Sequence, residues 1–375
     1  MKKKVILSVT NDLSSEQRVH KVCMFLIKNG FEVMLIGRRR KKSLPLEERP
    51  YQTKRMFLLF EKGPFFYAEY NLRLFFFLLF RKANVLVAND LDTLLANYLV
   101  TKLSGSILIY DSHEYFTGVP ELKGRKIVKK IWKILEQFIF PKLKYVYTVN
   151  KSIAELYRKE YGTDVKVVRN FPVLSFSLKK KNGVMQKKEL GLPEHKKIIL
   201  YQGSVNVDRG LQEAVESMQY VEDAVLLIIG DGDIINEVKA LTEKLKLNKK
   251  IIFHERIPFD QLQQYTLLSD IGISLDKDTN INYRYSLPNR IFDYIHANIP
   301  VLASSLIEIK KIFSKYDVGM LIENHEPKHI AEKINFMLND ERKRKYWKEN
   351  CFIAARELCW ENEEQVLKEI YEIQE

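Results

Sequence analysis

Gly203 and Arg209 have the residue types and spacing of an anion-binding loop. Gly203 follows the apolar run 197–202, which predicts a strand, and Arg209 stands where the next helix is predicted to begin. Glycine lets the backbone approach a phosphate closely, a helix amino end offers unpaired N–H groups, and arginine adds a bidentate cation. The alternative is a glycine turn followed by a solvated arginine. The segment matches neither the P-loop nor the GxGxxG consensus.

Asn289 and Asp293 are four residues apart in a second polar segment, residues 285–293. Pro288 suits the first turn of a helix, so the two side chains are predicted to share one helical face. A carboxylate one turn into such a helix could accept hydrogen bonds from both hydroxyls of a ribose. The alternative is an acid that the helix dipole favours near the amino end.

Three Asp-x-Asp triplets raise the question of a metal site, at residues 90–92, 231–233 and 276–278. Carboxylates are the ligands that hard cations such as Mg²⁺ prefer. Each triplet also stands just after a predicted strand, where an acid commonly enters a loop or a helix. We interpret all three as loop or helix-entry acids and predict no metal.

Strand and helix patterns alternate through both halves of the chain, which predicts parallel sheets built from right-handed βαβ crossovers. Ligands bind such sheets beyond the carboxyl ends of the strands, where loops lead into helices. The predicted strands are Val5–Val9, Phe31–Ile36, Val85–Ala88, Ile107–Tyr110, Tyr145–Val149, Val165–Val168, Lys197–Gln202, Val225–Ile229, Ile251–Phe253, Ile271–Leu275 and Val301–Ala303.

The chain length of 375 residues predicts two domains, because a single core stops growing at about 250 to 300 residues. We expect an amino-terminal domain over residues 1–175, a second domain over 176–340 and helices over 341–375. The lysine-rich stretch 179–183 marks the junction. The three cysteines are widely spaced, which disfavours a disulfide framework or a thiolate metal site and fits a reducing compartment.

The net charge of +13 is unevenly distributed. Residues 1–180 hold 34 Lys and Arg against 16 Asp and Glu, whereas residues 181–375 hold 27 against 32. The first part therefore carries +18 and the second −5. Such asymmetry indicates an anionic partner for the first half, either a nucleic acid or a membrane surface.

Three segments of the basic half favour the membrane: the charge run 38–42, the apolar stretch 72–80, and 127–135, which joins an apolar stripe to lysines and Trp132. For each segment alone, a normal surface helix with its lysines in solvent is the alternative. We see no nucleic-acid recognition motif and predict no nucleic-acid partner. No apolar stretch reaches the roughly 17 to 25 residues of a membrane span.

Several motifs, in their order along the chain, resemble the GT-B glycosyltransferases, specifically the large retaining family 4 group. The resemblance extends from residue 4 to about residue 338. The segments that carry it are Arg18-Val19, Asp111–Glu114, Thr148–Ala154, Asn170–Pro172, Gly203-Ser204, Arg209–Leu211, Ile228–Gly232, Ser286–Ile295 and Ile299–Ser304.

The resemblance implies an α/β GT-B fold, in which two Rossmann-like parallel-sheet domains face each other across a cleft. The donor would bind the second domain and the acceptor the first. Implied catalytic residues are Asp111, His113 and Arg209. Implied nucleotide-sugar-binding residues are Gly203, Ser204, Arg209, Gly230, Asp231, Arg256, Ile257, Tyr285, Ser286, Asn289, Arg290 and Asp293. Implied acceptor-binding residues are Asn11, Asp12, Arg18 and Asp90.

The chain departs from the family pattern at the diphosphate and at the sugar. Asp208 occupies the position of a family arginine, and Arg290 is the candidate for the second cation. Tyr285 stands where the family has the upstream member of a glutamate pair. We leave open whether Asp276 or Asp278 replaces that carboxylate.

The resemblance therefore implies a metal-independent retaining glycosyltransferase without a cofactor. Its substrates would be a UDP- or GDP-linked sugar and a glycan or lipid-linked acceptor. It would be cytoplasmic and peripheral on the inner face of the cytoplasmic membrane. The alternatives are a GT-B sugar-nucleotide epimerase and a catalytically degenerate, membrane-associated GT-B subunit.

Overall fold

The computed structural model describes residues 2–41, 43, 45–122, 124–174 and 185–372. The chain forms two compact units. The first contains the described residues of 1–170 together with those of 364–375, and the second contains those of 171–363. The predicted junction at 179–183 and Lys42 lie outside the described residues.

Unit 1 contains a seven-stranded sheet in the order β3-β2-β1-β4-β5-β6-β7, with every pair parallel. The strands are β1 Lys4–Asp12, β2 Glu32–Arg39, β3 Gln52–Phe57, β4 Val85–Asn89, β5 Ile107–Ser112, β6 Tyr145–Thr148 and β7 Lys166–Val167. The helices are α1 Gln17–Lys28, α2 Gly63–Leu79, α3 Leu91–Ser104, α4 Lys126–Ile139 and α5 Lys151–Tyr161.

Unit 2 contains a six-stranded parallel sheet in the order β10-β9-β8-β11-β12-β13. Its strands are β8 Lys197–Gln202, β9 Ala224–Ile229, β10 Ile251–His254, β11 Ile271–Ser274, β12 Val301–Ser304 and β13 Gly319–Ile322. Its helices are α6 Leu211–Ser217, α7 Ile235–Lys244, α8 Phe259–Leu267, α9 Ile281–Arg284, α10 Asn289–His296, α11 Ile307–Tyr316, α12 Pro327–Asn339 and α13 Glu341–Glu357. Helix α14, Trp360–Ile370, begins in unit 2 and ends in unit 1.

Helix α10 is fixed to the second sheet by Tyr294. The Tyr294 ring lies over Gly272, where an added Cβ would stand 2.3 Å from the ring carbon Cδ2. Its hydroxyl donates to the carbonyl of Leu200 at 3.1 Å and accepts from the N–H of Gln202 at 3.2 Å. Neighbouring Phe292 and Ile295 are buried in the core. Tyr294 thereby fixes the helix that carries Arg290 and Asp293.

The alternating architecture that the sequence predicts is confirmed, and so is the parallel pairing of the strands. Two short strands, β3 and β13, are absent from the prediction. In the sequence, Gln17 follows Ser14 by three residues, which predicts a Ser14 cap for α1; this prediction is wrong. Ser14 lies in a 3-10 turn, and its backbone N–H donates to the side chain of Asp12. Helix α1 begins only at Gln17.

Candidate functional site

Gly203 and Gly230 bring two strand-end turns of unit 2 into contact. Gly203, at φ +120°, follows β8, and its N–H donates to the carbonyl of Ile229 at 3.0 Å. Gly230, at φ +152°, follows β9, and an added Cβ would lie 1.9 Å from the Gly203 carbonyl oxygen. The Val205 N–H also donates to the Asp231 carbonyl at 3.0 Å. Gly230 requires glycine because of this close approach and its positive φ, and Gly203 because of its positive φ.

Asp276 joins the two predicted arginines. Its Oδ1 lies 2.7 Å from Nη1 of Arg209, and its Oδ2 lies 2.5 Å from Nη2 of Arg290. Asp276 is fully buried, and burial alone would raise the pKa of its carboxyl group. Arg290 and Arg209 outweigh burial, so the net effect lowers that pKa. The centre is therefore a carboxylate between two guanidinium groups, with one surplus positive charge.

Arg290 is held on every side-chain nitrogen. Its Nε donates to Ser274 Oγ at 2.9 Å, and its Nη1 donates to the Tyr201 hydroxyl at 3.2 Å. The guanidinium carbon also lies 4.7 Å from the centre of the Tyr201 ring. An added Cβ on Gly203 would stand 3.5 Å from Nη1 of Arg290. The Gly203 turn and the second cation are therefore adjacent.

Arg209 is held on only one edge. Its guanidinium carbon lies 4.6 Å from the centre of the Tyr283 ring, and Nη1 donates to Asp276. Its Nε is buried and has no hydrogen-bond partner among the described residues. A buried N–H group without a hydrogen-bond partner costs free energy. The Nε edge of Arg209 is therefore suited to bind an anion.

Asp293 lies beside the same turn. Its Oδ2 accepts from Nε2 of Gln202 at 2.8 Å, and the other amide atom of Gln202 accepts from Thr266 Oγ1 at 2.9 Å. Because Gln202 directly precedes Gly203, this contact brings Asp293 to the carboxyl end of β8. Asn289 is exposed one turn earlier on α10.

The remaining predicted donor residues surround the turns less closely. Ser204 and Asp231 are exposed, and Asp231 accepts from the Gly232 N–H at 2.8 Å. Tyr285 is half-buried, and the Ser286 hydroxyl is buried without a hydrogen bond in the described chain. In the loop after β10, Arg256 is exposed and Ile257 packs against the core.

The two acids of the Asp-x-Asp triplet 276–278 lie in different environments. Asp276 is buried between the arginines, whereas Asp278 is exposed and pairs with Nε of Arg284 at 3.0 Å. Across the parts of the chain that the structure describes, no group of three or more His, Cys, Asp or Glu side chains is arranged to hold a metal ion.

In unit 1, Arg18 and Asp111 form a buried ion pair at the carboxyl end of β5. Nη2 of Arg18 lies 2.7 Å from Oδ1 of Asp111, and Nε lies 3.1 Å from Oδ2. Nη1 of Arg18 donates to the Val168 carbonyl at 2.8 Å. Burial would raise the pKa of Asp111, but Arg18 and His113 lower it to about 2.

His113 lies between two carboxylates of this cluster. Its Nδ1 is 3.3 Å from Asp90 Oδ2, and its Nε2 is 3.3 Å from Asp111 Oδ2. Its backbone N–H donates to Asp90 Oδ1 at 2.8 Å. Burial would lower the pKa of His113, but Asp90 and Asp111 raise it to about 9. His113 is therefore an imidazolium at neutral pH.

Asp92, which the sequence analysis interprets as a loop or helix-entry acid, lies in the first turn of α3 and adds an acid to this cluster. Its Oδ2 accepts from Thr10 Oγ1 at 2.6 Å, and Oδ1 is buried without a hydrogen bond in the described chain. Burial and the nearby Asp90 raise the pKa of Asp92 to about 7. Asp12 accepts from Ser43 and lies 3.5 Å from Arg55, whereas Asn11 is exposed and donates to Glu16.

Helix α4 of unit 1 exposes an apolar stripe that a normal surface helix would pack against its sheet. Glu136 is fully buried in α4, while the apolar residues of one stripe point outward. Ile127, Ile131 and Ile134 are 77%, 61% and 55% exposed. The wider exposed apolar set on α2, α3 and α4 is Phe65, Leu72, Phe76, Leu79, Leu99, Leu103, Ile127, Ile131, Ile134 and Phe138.

The described part of the charge run, residues 38–41, is only partly exposed. Arg38 is half-buried: its Nη1 donates to the Glu61 carbonyl at 3.2 Å, and its guanidinium carbon lies 4.5 Å from the centre of the Phe66 ring. Arg39, Arg40 and Lys41 are exposed. Among the described helices, none combines the length and the apolarity that a bilayer span requires.

The sequence did not indicate the role of several buried polar residues. Tyr201, Gln202 and Ser274 are strand residues whose side chains hold Arg290 and Asp293. They stand at the carboxyl ends of β8 and β11. The only available signal was a polar residue at the end of an otherwise apolar strand.

Comparison with protein families gives matches over both units. Residues 15–172 match the model described as Glycosyltransferase Family 4, and residues 185–352 match the model described as Glycosyl transferases group 1.

Curated relatives align over part of their length. D-inositol 3-phosphate glycosyltransferase of Xylanimonas cellulosilytica is 19% identical over 197 residues, 49% of this chain and 44% of the relative. A putative teichuronic acid biosynthesis glycosyltransferase of Bacillus subtilis is 26% identical over 151 residues, 40% of this chain and 34% of the relative. The chain thus spans less than half the length of these relatives.

Solved structures share the fold over nearly the whole chain. Sucrose-phosphate synthase of Thermosynechococcus elongatus has a TM-score of 0.80 at 14% identity, covering 99% of this chain and 98% of that one. Anabaena HepE in complex with UDP-glucose has a TM-score of 0.75 at 12% identity, covering 98% and 99%. With both family models matched in chain order, the chain belongs to the GT-B glycosyltransferases of the family 4 type.

Proposed function

We propose that the protein transfers a sugar from a nucleoside-diphosphate donor to a glycan or lipid-linked acceptor. The observation that carries the proposal is the pair of arginines in unit 2. Arg209 and Arg290 share Asp276, and Arg290 adjoins the Gly203 turn. A diphosphate at this turn would meet a surplus positive charge and a buried guanidinium N–H without a partner in the described chain.

In the proposed reaction, these arginines stabilise the leaving group. Breaking the bond between the anomeric carbon and the phosphate oxygen develops negative charge on the departing nucleoside diphosphate. Preorganised cations at that position lower the barrier. Because Arg209 and Arg290 supply positive charge themselves, the proposed reaction requires no metal ion and no cofactor.

We propose a retaining transfer without a covalent glycosyl–enzyme intermediate. The two oxygens of buried Asp276 are occupied by Arg209 and Arg290, and exposed Asp278 pairs with Arg284. Neither carboxylate is arranged as a nucleophile. The acceptor oxygen would instead form its bond on the face that the diphosphate leaves, and the acceptor proton would pass to the departing phosphate oxygen.

For unit 1 we propose acceptor binding at the carboxyl ends of β1, β4 and β5. The two ring nitrogens of His113 face Asp90 and Asp111, so the imidazolium would orient Asp90, and the exposed part of Asp90 would accept from a sugar hydroxyl. Asp111 is fully buried, so its proposed role is to orient His113 and Arg18. Asn11 and Asp12 lie on the loop that follows β1 and complete the proposed acceptor set.

The donor would be a UDP-sugar or a GDP-sugar. Support for uridine comes from the structural neighbour HepE, which is described in complex with UDP-glucose. In unit 2, Asp293 would accept from the ribose hydroxyls, and the loop after β10, which includes Arg256 and Ile257, would contact the base.

We further propose that unit 1 binds the surface of an anionic membrane, which would suit a lipid-linked acceptor. The apolar stripe Ile127, Ile131, Ile134 and Phe138 faces outward on α4. Lys126, Lys129 and Lys130 are exposed on the same helix. An apolar stripe beside lysines is the composition of an interfacial helix, and each cation adds about 1 kcal/mol on an anionic leaflet.

A donor panel tests the proposed reaction. The protein is incubated with UDP-, GDP-, ADP- and CMP-linked sugars, with and without a membrane lipid extract that contains candidate acceptors, and nucleotide release is measured. Acceptor-dependent release of a nucleoside diphosphate supports transfer. Formation of an epimeric nucleotide sugar would support an epimerase instead. Absence of turnover with every donor would support a degenerate subunit.

A further inference from the structure

The family resemblance left the role of Asp276 open, and the structure places its carboxylate between Arg209 and Arg290. It follows β11 and is 67 residues from Arg209 but 14 from Arg290. Each oxygen accepts from one guanidinium group, and Oδ2 also accepts from Ser274 Oγ at 3.1 Å. A single buried side chain therefore links Arg209, in the loop after β8, to Arg290, in the first turn of α10.

The contact from Asp276 constrains the two arginines unequally. Arg290 is 7% exposed and keeps its contacts with Ser274 and Tyr201. Arg209 is 23% exposed, and its guanidinium group pairs with Asp276 and lies against the ring of Tyr283. Two guanidinium groups also repel each other. Without the carboxylate, Arg209 would gain rotamers that turn it toward solvent.

We propose that Asp276 is a positioning residue that holds Arg209 and Arg290 side by side for a diphosphate. The inference rests on the proposed function. Asp276 binds Nη1 of Arg209 and so leaves the opposite edge, Nε and Nη2, for two parallel hydrogen bonds to phosphate oxygens. In this role Asp276 does not act as a nucleophile and does not touch a reacting atom.

A competing explanation makes the opposite prediction. If Asp276 only neutralised the arginines, it would compete with phosphate for them, and its removal would strengthen diphosphate binding. If it positions them, its removal loosens Arg209 and weakens binding, because ordering a long side chain on binding reduces affinity. The direction of the change therefore decides between the two.

The experiment is titration calorimetry of UDP and GDP with the full chain and with Asp276→Asn. Asparagine keeps the shape but places an N–H where one guanidinium must donate. We expect diphosphate affinity to fall about tenfold or more. Asp278→Asn, which disrupts an exposed pair, is the matched control and should leave affinity unchanged. Equal or tighter binding to Asp276→Asn would overturn the inference.

A double-mutant cycle tests whether Asp276 acts through Arg209. In an Arg209→Ala background, Asp276→Asn should cause little further loss of affinity, whereas independent contributions would add. If Asp276→Asn does not fold, Ser274→Ala removes a contact to Asp276 and Arg290 while keeping the charges. It should weaken binding about threefold, and an unchanged affinity would contradict the inference.

The proposed function and the Asp276 inference can be wrong independently of each other. If the unchanged protein binds no nucleoside diphosphate, the proposed function fails and the Asp276 inference falls with it. If the unchanged protein binds and only the predicted loss in Asp276→Asn is missing, the inference alone is wrong.

Discussion

Residues 1–180 and residues 181–375 carry net charges of opposite sign, and each part of the chain gathers groups of the other sign at its strand ends. Residues 1–180 carry +18, yet their strand ends gather four carboxylates, Asp12, Asp90, Asp92 and Asp111. Residues 181–375 carry −5, yet their central cluster holds two arginines on one carboxylate. Net charge therefore describes the outer surface, whereas the pairing of buried groups sets the charge of a site.

This comparison suggests separate tasks for the two units. The cationic cluster of unit 2 is suited to a diphosphate. The carboxylates and imidazolium of unit 1 are suited to sugar hydroxyls, and the positive charge of that part of the chain remains on its outside.

The largest expected effect comes from Gly230→Ala, which tests whether the unit 2 turns are built for close approach. The added Cβ would lie 1.9 Å from the Gly203 carbonyl at a φ of +152°. We expect unfolding free energy to fall by about 4 kcal/mol and nucleotide binding to be lost. Gly162→Ala in unit 1 is the control, because its φ is +68° and no atom lies within 4 Å of the added Cβ. It should cost about 1 kcal/mol. Equal losses in chemical denaturation would contradict this account.

Arg209→Ala should weaken nucleoside diphosphate binding about 100-fold, because it removes the exposed member of the cationic pair. Arg284→Ala removes an equal charge whose partner is exposed Asp278 and should change affinity less than twofold. Titration calorimetry measures both. If the two variants lose affinity equally, net charge rather than the arginine cluster controls binding, and the comparison between the units fails.

His113→Gln tests the charged state of the unit 1 cluster. The folded pKa of about 9 exceeds the ordinary 6.5, so the stabilisation is fully present below pH 6.5 and is lost as pH rises through 9. We expect the wild-type unfolding free energy to fall by about 3 kcal/mol across that range and this component to vanish in the variant. The exposed His195→Gln should keep the wild-type profile. An NMR titration that places the His113 pKa near 6.5 would refute the imidazolium.

The smallest effect concerns the outer surface of unit 1. Ile131→Ser should lower binding to anionic vesicles about fivefold, since it removes one apolar side chain from the stripe. Ile353→Ser is matched in residue type and exposure, 56% against 61%, but lies in unit 2. It should leave flotation unchanged. Equal binding of the wild type to neutral and anionic vesicles, or no binding to either, would exclude the electrostatic contact.

The sequence predicted the βαβ order and the glycine turn because apolar runs and glycines are local signals. It missed β3 because Gln52–Phe57 is a polar edge strand with mostly exposed side chains. It missed β13 because Gly319–Ile322 begins with glycine and only Ile322 is fully buried. It also did not show which side of α4 faces outward, because an apolar stripe normally packs inward, whereas here Glu136 is buried and accepts from Lys133 and Tyr161.

The candidate site was predicted less completely than the fold. Arg209 and Arg290 followed from their positions after strands, and Arg290 was proposed as the second cation. The link through Asp276 depends on the pairing of β8 with β11, and it joins Asp276 to Arg209 across 67 residues, so it leaves no local pattern. Arg18 and Asp111 are 93 residues apart, so no local sequence pattern predicts their ion pair either.

The most direct measurement compares a nucleoside diphosphate with its nucleoside, titrated into the wild-type protein in the presence of EDTA. The account predicts that UDP or GDP binds one per chain, about 100-fold more tightly than uridine or guanosine. The difference should shrink in Arg209→Ala. Equal affinity for nucleoside and diphosphate, or no binding of either, would contradict the claim that the turn at Gly203 and its two arginines form a diphosphate site.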